Sequence, residues 1–276
     1  MRANVPVSAA RRDDGVTSLS DGFQDGYALE FRDTTYRLPS GVPLISSLNL
    51  RVARGETLVL LGRSGSGKTT TLKLINRLLD LSEGEILIGG RPIGSLDPIQ
   101  LRRGIGYVIQ DAGLFPHWTV ERNVGLVPTL QRWPEERIQA RVQEMLSLVG
   151  LPPEEFAERK PSALSGGQKQ RVGVARALAS DPPILLMDEP FAALDPITRA
   201  DLQSEFRALS QRLQKTIVFV THDVREALFL ATRIALLDHG RLVGVYAPAE
   251  FLTATEPEIQ AFAASLEPGG GHKGVL

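Results

Sequence analysis

The sequence predicts an α/β fold with a mainly parallel core sheet, an antiparallel β portion on its N-terminal side and a helical insertion. Three observations predict it. Short apolar runs recur between segments of helical period, at Leu58-Val59-Leu60-Leu61, Ile105-Gly106-Tyr107-Val108-Ile109, Ile184-Leu185-Leu186-Met187 and Ile217-Val218-Phe219-Val220, the alternation of parallel strands with crossover helices. A glycine-rich stretch from Gly62 to Thr69 joins the first run to a helical segment. The runs end in the glycine-rich stretch, in Gln110, in Asp188-Glu189 and in His222, and a parallel sheet brings such strand ends to one edge.

Taken in order, residues 1–26 are small, polar and charged, without periodicity, and are expected to form a disordered leader. Ala28-Leu29-Glu30-Phe31 and Leu48-Asn49-Leu50-Arg51-Val52 alternate as half-exposed antiparallel strands do. After the glycine-rich stretch, Thr70-Thr71-Leu72-Lys73-Leu74-Ile75 reads as a helix, Ser82-Glu83-Gly84-Glu85 as a turn and Ile86-Leu87-Ile88 as a strand. From about residue 111 to 180 the character changes to helix and loop. Ile138, Val142, Leu146 and Val149 mark one helix face, stopped by Gly150 and Pro152-Pro153. Leu164-Ser165-Gly166-Gly167-Gln168 opens a helical run continuing over Val172 to Ala179, with Ser165 as its N-cap. Leu202, Phe206, Leu209 and Leu213 mark another buried helix face, and runs at 234–237 and 242–245 complete the core. Residues 266–276 read as a flexible tail.

Composition narrows the classes. The 276 residues can bury a substantial core, and 42% hydrophobic with 23% charged residues is ordinary for a globular protein. A formal net charge of −1 gives no reason to expect a nucleic-acid partner. The absence of cysteine excludes disulfides, zinc thiolate sites and thiol catalysis. No apolar run reaches the roughly 18–20 residues that span a bilayer, and the N-terminus has no long apolar core of the secretory kind. The chain is therefore expected in the cytoplasm, with any membrane association made through another protein.

The spacing G-x-x-x-x-G-K-[ST] over residues 62–69, with a strand before it and a helix after it, is that of the phosphate loop of P-loop NTPases. Gly62, Gly65 and Gly67 let the backbone curl with its N–H groups inward, and Arg63, Ser64, Ser66 and Thr70 complete the cradle at a helix N-terminus. Lys68 reaches the β- and γ-phosphates, and Thr69 offers a hydroxyl to Mg²⁺. Asp188 suits the same metal, usually through water. Glu189 suits the general base for an attacking water, and His222 is placed to bond a γ-phosphate. Gln110 at its strand end is a weaker signal of the same kind.

Leu164-Ser165-Gly166-Gly167-Gln168, standing 97 positions after Lys68 when counted to Ser165, resembles the signature of ABC-type ATPases. The resemblance covers about residues 28–250 and implies one ABC ATPase domain over 27–265, with a helical subdomain at about 111–180, that binds ATP and Mg²⁺. It further implies a head-to-tail homodimer in which Ser165, Gly166, Gly167 and Gln168 of one copy contact the γ-phosphate held by the other. Tyr36 resembles the aromatic that stacks on adenine, though it also fits a strand aromatic packed on the core. Asp195, in Ala193-Leu194-Asp195, resembles the contact through which subunits communicate. Gln110 resembles the residue that senses Mg²⁺ and water and links hydrolysis to the helical part. The segment from Asp111 to Trp118 resembles the groove that receives a cytoplasmic helix of a transmembrane permease subunit; Phe115 and Trp118 suit such a contact or burial inside the helical subdomain.

Leu74-Ile75-Asn76-Arg77-Leu78, Gly113-Leu114-Phe115-Pro116-His117 and Met187-Asp188-Glu189-Pro190-Phe191-Ala192-Ala193-Leu194-Asp195-Pro196 look like the ATPase subunits of osmoprotectant importers, which take up glycine betaine, choline, carnitine or related quaternary amines. Ala192 departs from the Gly usual there, and Asp111 from a common second Gln. The resemblance implies a peripheral position on the cytoplasmic face of the inner membrane, an indirect link to a solute-binding protein, and no nucleic acid. Paired regulatory CBS domains found in some relatives are not expected beyond residue 265. Alternatives are the ATPase of another small-solute importer or a soluble ABC-type ATPase; the latter usually carries a long coiled-coil insertion or two ATPase units, and neither is read here.

Overall fold

The computed structural model describes residues 26–263; the leader, but for its last residue, and the tail lie outside the described residues. Two sheets form. The first is antiparallel, in the order β2-β1-β4-β5, from β1 (Tyr27–Arg37), β2 (Pro43–Ala53), β4 (Glu83–Ile88) and β5 (Arg91–Pro92). The second runs β10-β9-β3-β8-β7-β6, from β3 (Thr57–Leu61), β6 (Ile105–Val108), β7 (Ile184–Asp188), β8 (Thr216–Thr221), β9 (Arg233–Asp238) and β10 (Arg241–Tyr246). Strands β9, β3, β8, β7 and β6 are mutually parallel, and β10 turns back antiparallel on β9.

The apolar runs are continuous because their strands are covered on both faces. On β3, Val59 and Leu61 face one core while Leu58 and Leu60 face the other. The same division holds for Leu185 and Met187 against Ile184 and Leu186 on β7, and for Ile217 and Phe219 against Val218 and Val220 on β8. One core lies between the two sheets and α1 (Lys68–Ile75); the other lies under helices of the insertion and of the C-terminal half. Each fully buried aliphatic side chain contributes about 1.5–3 kcal/mol, so the pattern pins register as well as stability.

Helix α2 (Pro98–Arg103) is capped by Asp97, whose carboxylate accepts from Gln100 N. Between β6 and β7 the chain is helical: α3 (Val120–Val124), α4 (Leu126–Leu130), α5 (Glu135–Leu148), α6 (Pro153–Phe156) and α7 (Gly166–Leu178). On α5, Val142 and Leu146 are buried and Ile138 packs against the same core, as the spacing predicts. The C-terminal half adds α8 (Pro196–Leu213), α9 (Val224–Leu230), α10 (Pro248–Phe251) and α11 (Pro257–Ala263).

Three boundaries differ from expectation. Helix α1 begins at Lys68 rather than Thr70, because Gly67 adopts φ 101° and already acts as its cap. The expected turn at 82–85 is instead largely the start of β4: Gly84, at φ 78°, lies where a Cβ would come 2.3 Å from the carbonyl oxygen of Asp33, at a register shift on β1. Gly84 is thus a bulge partner and not a reversal. β6 ends at Val108, one residue short of Ile109. Helix α7 starts at Gly166 with Ser165 as its N-cap, as expected.

Phe219 is fully buried, with ring centroids 5.8 Å from Phe191 and 6.2 Å from Phe206. It joins β8 to α8 and to the loop leaving β7. Phe219→Ala is expected to cost about 3–5 kcal/mol of stability, read as a lowered midpoint in urea unfolding of the nucleotide-free chain.

Candidate functional site at the carboxyl edge of the parallel sheet

Strand β3 ends at Leu61 and the chain enters a loop that has no room for a side chain at Gly62 or Gly67. A Cβ on Gly62 would lie 2.3 Å from the Leu237 carbonyl oxygen and 2.5 Å from Ser66 Oγ. Gly65 sits at φ 79°, and a Cβ on Gly67 would meet Ile45 Cδ1 at 2.4 Å. The loop is also held from behind, since Gly240 N, in the turn between β9 and β10, donates to the Ser66 carbonyl at 3.1 Å. Arg63, Ser64 and Gly65 form its exposed rim, while Ser66 and Lys68 are buried and Thr69 and Thr70 half-buried. Lys68 Nζ donates to the carbonyls of Gly62 at 2.8 Å and Arg63 at 2.9 Å. Burial lowers the Lys68 pKa, and the Glu189 and Asp188 carboxylates oppose that shift. Ser66 Oγ is buried without a partner. An ammonium, helix-terminal N–H groups and an orphaned hydroxyl on one concave turn suit an anion with several oxygens.

The neighbouring strand ends supply the remaining groups. Asp188 closes β7, and its Oδ1 accepts from the Thr69 hydroxyl at 2.8 Å. Burial raises the Asp188 pKa, against the lowering effect of the Thr69 bond. Glu189 follows at φ 43°, a left-handed conformation rare for a carboxylate side chain. Its N–H donates to the Val220 carbonyl at 3.0 Å, and its Oε2 lies 3.0 Å from Nδ1 of His222, just beyond β8. Gln110 lies past the end of β6 at the same edge and is exposed. Sheet order therefore sets the groups in sequence along the edge: phosphate loop, His222, Asp188 with Glu189, then Gln110.

The signature segment stands elsewhere. Ser165 caps α7, its Oγ accepting from Gln168 N at 3.2 Å while Gln168 Oε1 accepts from Ser165 N at 2.9 Å, a closed capping box. Gly166 is exposed; Gly167 is buried, and a Cβ there would press to 2.7 Å on Thr198 Cγ2 of α8. Among the described residues, 165–168 make no hydrogen bond to 62–70. Asp195 caps α8, accepting from Thr198 N at 3.0 Å, and that bond holds its carboxyl below the usual range. Tyr36 is paired with Ile45 across β1 and β2 and lies half-buried against the inter-sheet core.

In the segment from Asp111 to Trp118, Phe115 is exposed and Trp118 half-buried, their rings stacked at 4.4 Å, with the Arg122 guanidinium 4.3 Å from the Trp118 ring. Asn123, fully buried, holds the loop from beneath: it accepts from Phe115 N at 2.8 Å and donates to the Thr119 carbonyl at 2.9 Å. Sequence reasoning missed this asparagine. It also missed Tyr107, whose phenol is pushed up to about 12 by burial and by nearby Asp188, and the buried Glu226 behind His222. For Tyr107 the signal was present: β6 and β7 are neighbouring buried strands, so a polar ring on one bears on the end of the other.

Fold and loop together define a P-loop NTPase core. A family model described as ABC transporter matches residues 45–192. The choline transport ATP-binding protein OpuBA of Bacillus subtilis is 53% identical over 224 residues, covering 81% of this chain and 58% of that protein. The glycine betaine uptake system ATP-binding protein YehX of Escherichia coli is 53% identical over 209 residues, covering 76% of this chain and 68% of that one. Among solved structures, the dimeric ATP-binding cassette MJ0796, in a post-hydrolysis state bound to ADP and Pi, superimposes with a TM-score of 0.71 at 36% identity, covering 80% of this chain and 98% of that one. The chain belongs to the ABC transporter family, and it spans less than two thirds of the length of OpuBA.

Because the Gly62 Cβ position is occupied by backbone, Gly62→Ala must displace the loop. Its affinity for a nucleoside triphosphate, measured by fluorescence titration, is expected to fall about 100-fold or more, the scale of a lost set of charged hydrogen bonds, with the fold retained by circular dichroism.

Proposed function

We propose that this chain is the ATP-hydrolysing subunit of an ABC importer for an osmoprotectant of the quaternary-amine class, such as glycine betaine, choline or carnitine. The observation that carries the hydrolytic part is the Glu189–His222 contact of 3.0 Å beside the buried Lys68. The solute class rests on relatives at 53% identity whose names are choline transport and glycine betaine uptake proteins.

In this reading the loop from Gly62 to Thr70 binds the triphosphate, Lys68 exchanging its two carbonyl partners for phosphate oxygens, and Tyr36 offers its ring to the base. Thr69 and Asp188 are hard oxygen donors 2.8 Å apart and fit Mg²⁺. No group of three or more His, Cys, Asp or Glu able to hold a metal occurs among the described residues, which suits an ion that keeps waters and takes phosphate oxygens. Bound there, with Gln110 nearby, Mg²⁺ supplies charge neutralisation to the phosphates. Glu189 accepts a proton from water as the water oxygen bonds to the γ-phosphorus; the bond from that phosphorus to the β,γ-bridging oxygen breaks, leaving ADP and inorganic phosphate. His222, oriented by Glu189, donates to the γ-phosphate, and Lys68 balances charge there.

Ser165, Gly166, Gly167 and Gln168 belong to a second copy's nucleotide in this reading. Among the described residues they make no hydrogen bond to their own phosphate loop, and the similar cassette MJ0796 was solved as a dimer. Asp195 meets the same partner. The exposed Phe115–Trp118 stack near Asp111 is the surface for a transmembrane permease subunit. In this reading the chain sits peripherally on the cytoplasmic face and reaches the solute-binding protein only through that permease; no helix among the described residues is long and apolar enough to cross a membrane.

Glu189→Gln is expected to keep ATP affinity while lowering kcat by about 10²–10⁴-fold, seen in a phosphate-release assay; near-normal turnover removes Glu189 from the role. Ser165→Arg is expected to leave ATP binding by the single chain intact and to abolish cooperative turnover and nucleotide-driven dimerisation, followed by light scattering. Normal turnover in that variant refutes the shared site.

A further inference from the structure

Helices α8 and α9 begin just after the segments that carry Glu189 and His222, and a polar pocket lies between them. Its lining includes Glu189, Ala192, Arg199, His222, Asp223 and Glu226. Asp223 is accounted for as the cap of α9, accepting from Arg225 N at 2.8 Å. Arg199 and Glu226 have no part in the chemistry above. Arg199 lies in the first turn of α8 and reaches back: its Nη2 donates to the carbonyls of Leu194 at 3.0 Å and Ala192 at 3.3 Å. These carbonyls belong to the loop that leaves Glu189. The Nε of Arg199 is buried with no partner. Glu226 on α9 is only 6% exposed and accepts from Gln203 Nε2 at 2.9 Å. Gln203 stands one helical turn after Arg199, so the two share a face of α8. Burial raises the Glu226 pKa, and the positive charge of Arg199 acts in the opposite sense.

The loop needs such a hold. A non-glycine residue at the φ of Glu189 costs about 1–3 kcal/mol and persists only where its surroundings impose it. On its upstream side the sheet imposes it, through the Glu189 N–H bond to Val220. On its downstream side, buried Phe191 anchors the chain in the core, and the Arg199 guanidinium ties the carbonyls of Ala192 and Leu194. A hydrogen bond of 3.0 Å between Glu189 and His222 tolerates only a few tenths of an ångström of drift.

We propose that Arg199 is a positioning residue: by tying the 192 and 194 carbonyls to α8, it sets Glu189 against His222. The kinetic consequence rests on the hydrolytic reading; the geometric one does not. Arg199 acts only through the loop.

The test has two arms on the full chain. In the first, the imidazole resonance of His222 is followed by NMR in nucleotide-free protein, assigned with His222→Gln, and Glu189→Ala marks its position when the contact is lost. Arg199→Met is expected to move the resonance most of the way to that position, and Arg199→Lys, which keeps a donor, to stay near wild type. In the second arm, Arg199→Met is expected to lower kcat about 10-fold or more while KM for ATP stays within about 2-fold, the signature of displaced rather than missing groups. An unmoved His222 resonance in Arg199→Met overturns the proposal. So does an equal displacement in Arg199→Met and Arg199→Lys accompanied by equal loss of melting temperature, which marks general loosening. If Arg199→Met does not fold, Arg199→Gln, whose side chain is too short to reach both carbonyls, takes its place and is expected to shift the resonance in the same direction; no shift again overturns it. A wild-type chain without ATP turnover refutes the hydrolytic reading, and the resonance comparison still decides the position of Arg199.

Discussion

The covering of β3 on both faces is the constraint from which the rest follows. A strand buried by two different cores cannot slide or rotate, because a shift of one residue would exchange the faces of Val59 and Leu61 with those of Leu58 and Leu60. The point at which the chain leaves the sheet is therefore fixed. At that point Gly62 is wedged beneath the Leu237 carbonyl and Ser66, and the turn carrying Gly240 closes on the loop from the other side. The phosphate loop is thus shaped by the sheet behind it before any ligand arrives.

The same logic extends to neighbouring strands with a different electrostatic result. Asp188 and Glu189 are adjacent in sequence and opposite in circumstance. Asp188 ends a strand, half-buried, with a hydroxyl donor from α1 that favours its ionised form against the cost of burial. Glu189 has left the sheet through a left-handed backbone step that swings its carboxylate toward His222. Two acids one residue apart thereby come to face different partners. A strand pair with both residues extended would send them to opposite faces of the sheet, and the unusual φ is what brings Glu189 round to the same edge.

Much of this was legible in the chain. The buried strands, the phosphate loop, the cap at Ser165 and the helix face of Ile138, Val142 and Leu146 all follow from period and local chemistry. The misreadings were local. Gly84 has the look of a turn residue, yet its freedom is used to pass beneath the Asp33 carbonyl inside a strand, a contact set by a partner strand some fifty positions away. Gly167 reads as part of an anion loop, and the fold shows a second reason for it, the close approach of Thr198. Asn123 and Glu226 could not be singled out because their surroundings are assembled from distant elements: an asparagine that satisfies a loop and a glutamate buried in the pocket that His222 lines have no spacing of their own.

The capping box at Ser165 carries a consequence in proton accounting. A serine hydroxyl owns two lone pairs and one proton. Capping α7 engages a lone pair with the Gln168 N–H, and the reciprocal bond from Ser165 N is taken up by the Gln168 side chain. The hydroxyl proton is left uncommitted on an exposed residue at a helix N-terminus. Asparagine or aspartate would start the helix equally well but would bring no such hydroxyl, and aspartate would add a charge of the wrong sign for an anion. The residue that begins α7 can therefore finish its structural work and still have a hydrogen bond to give away.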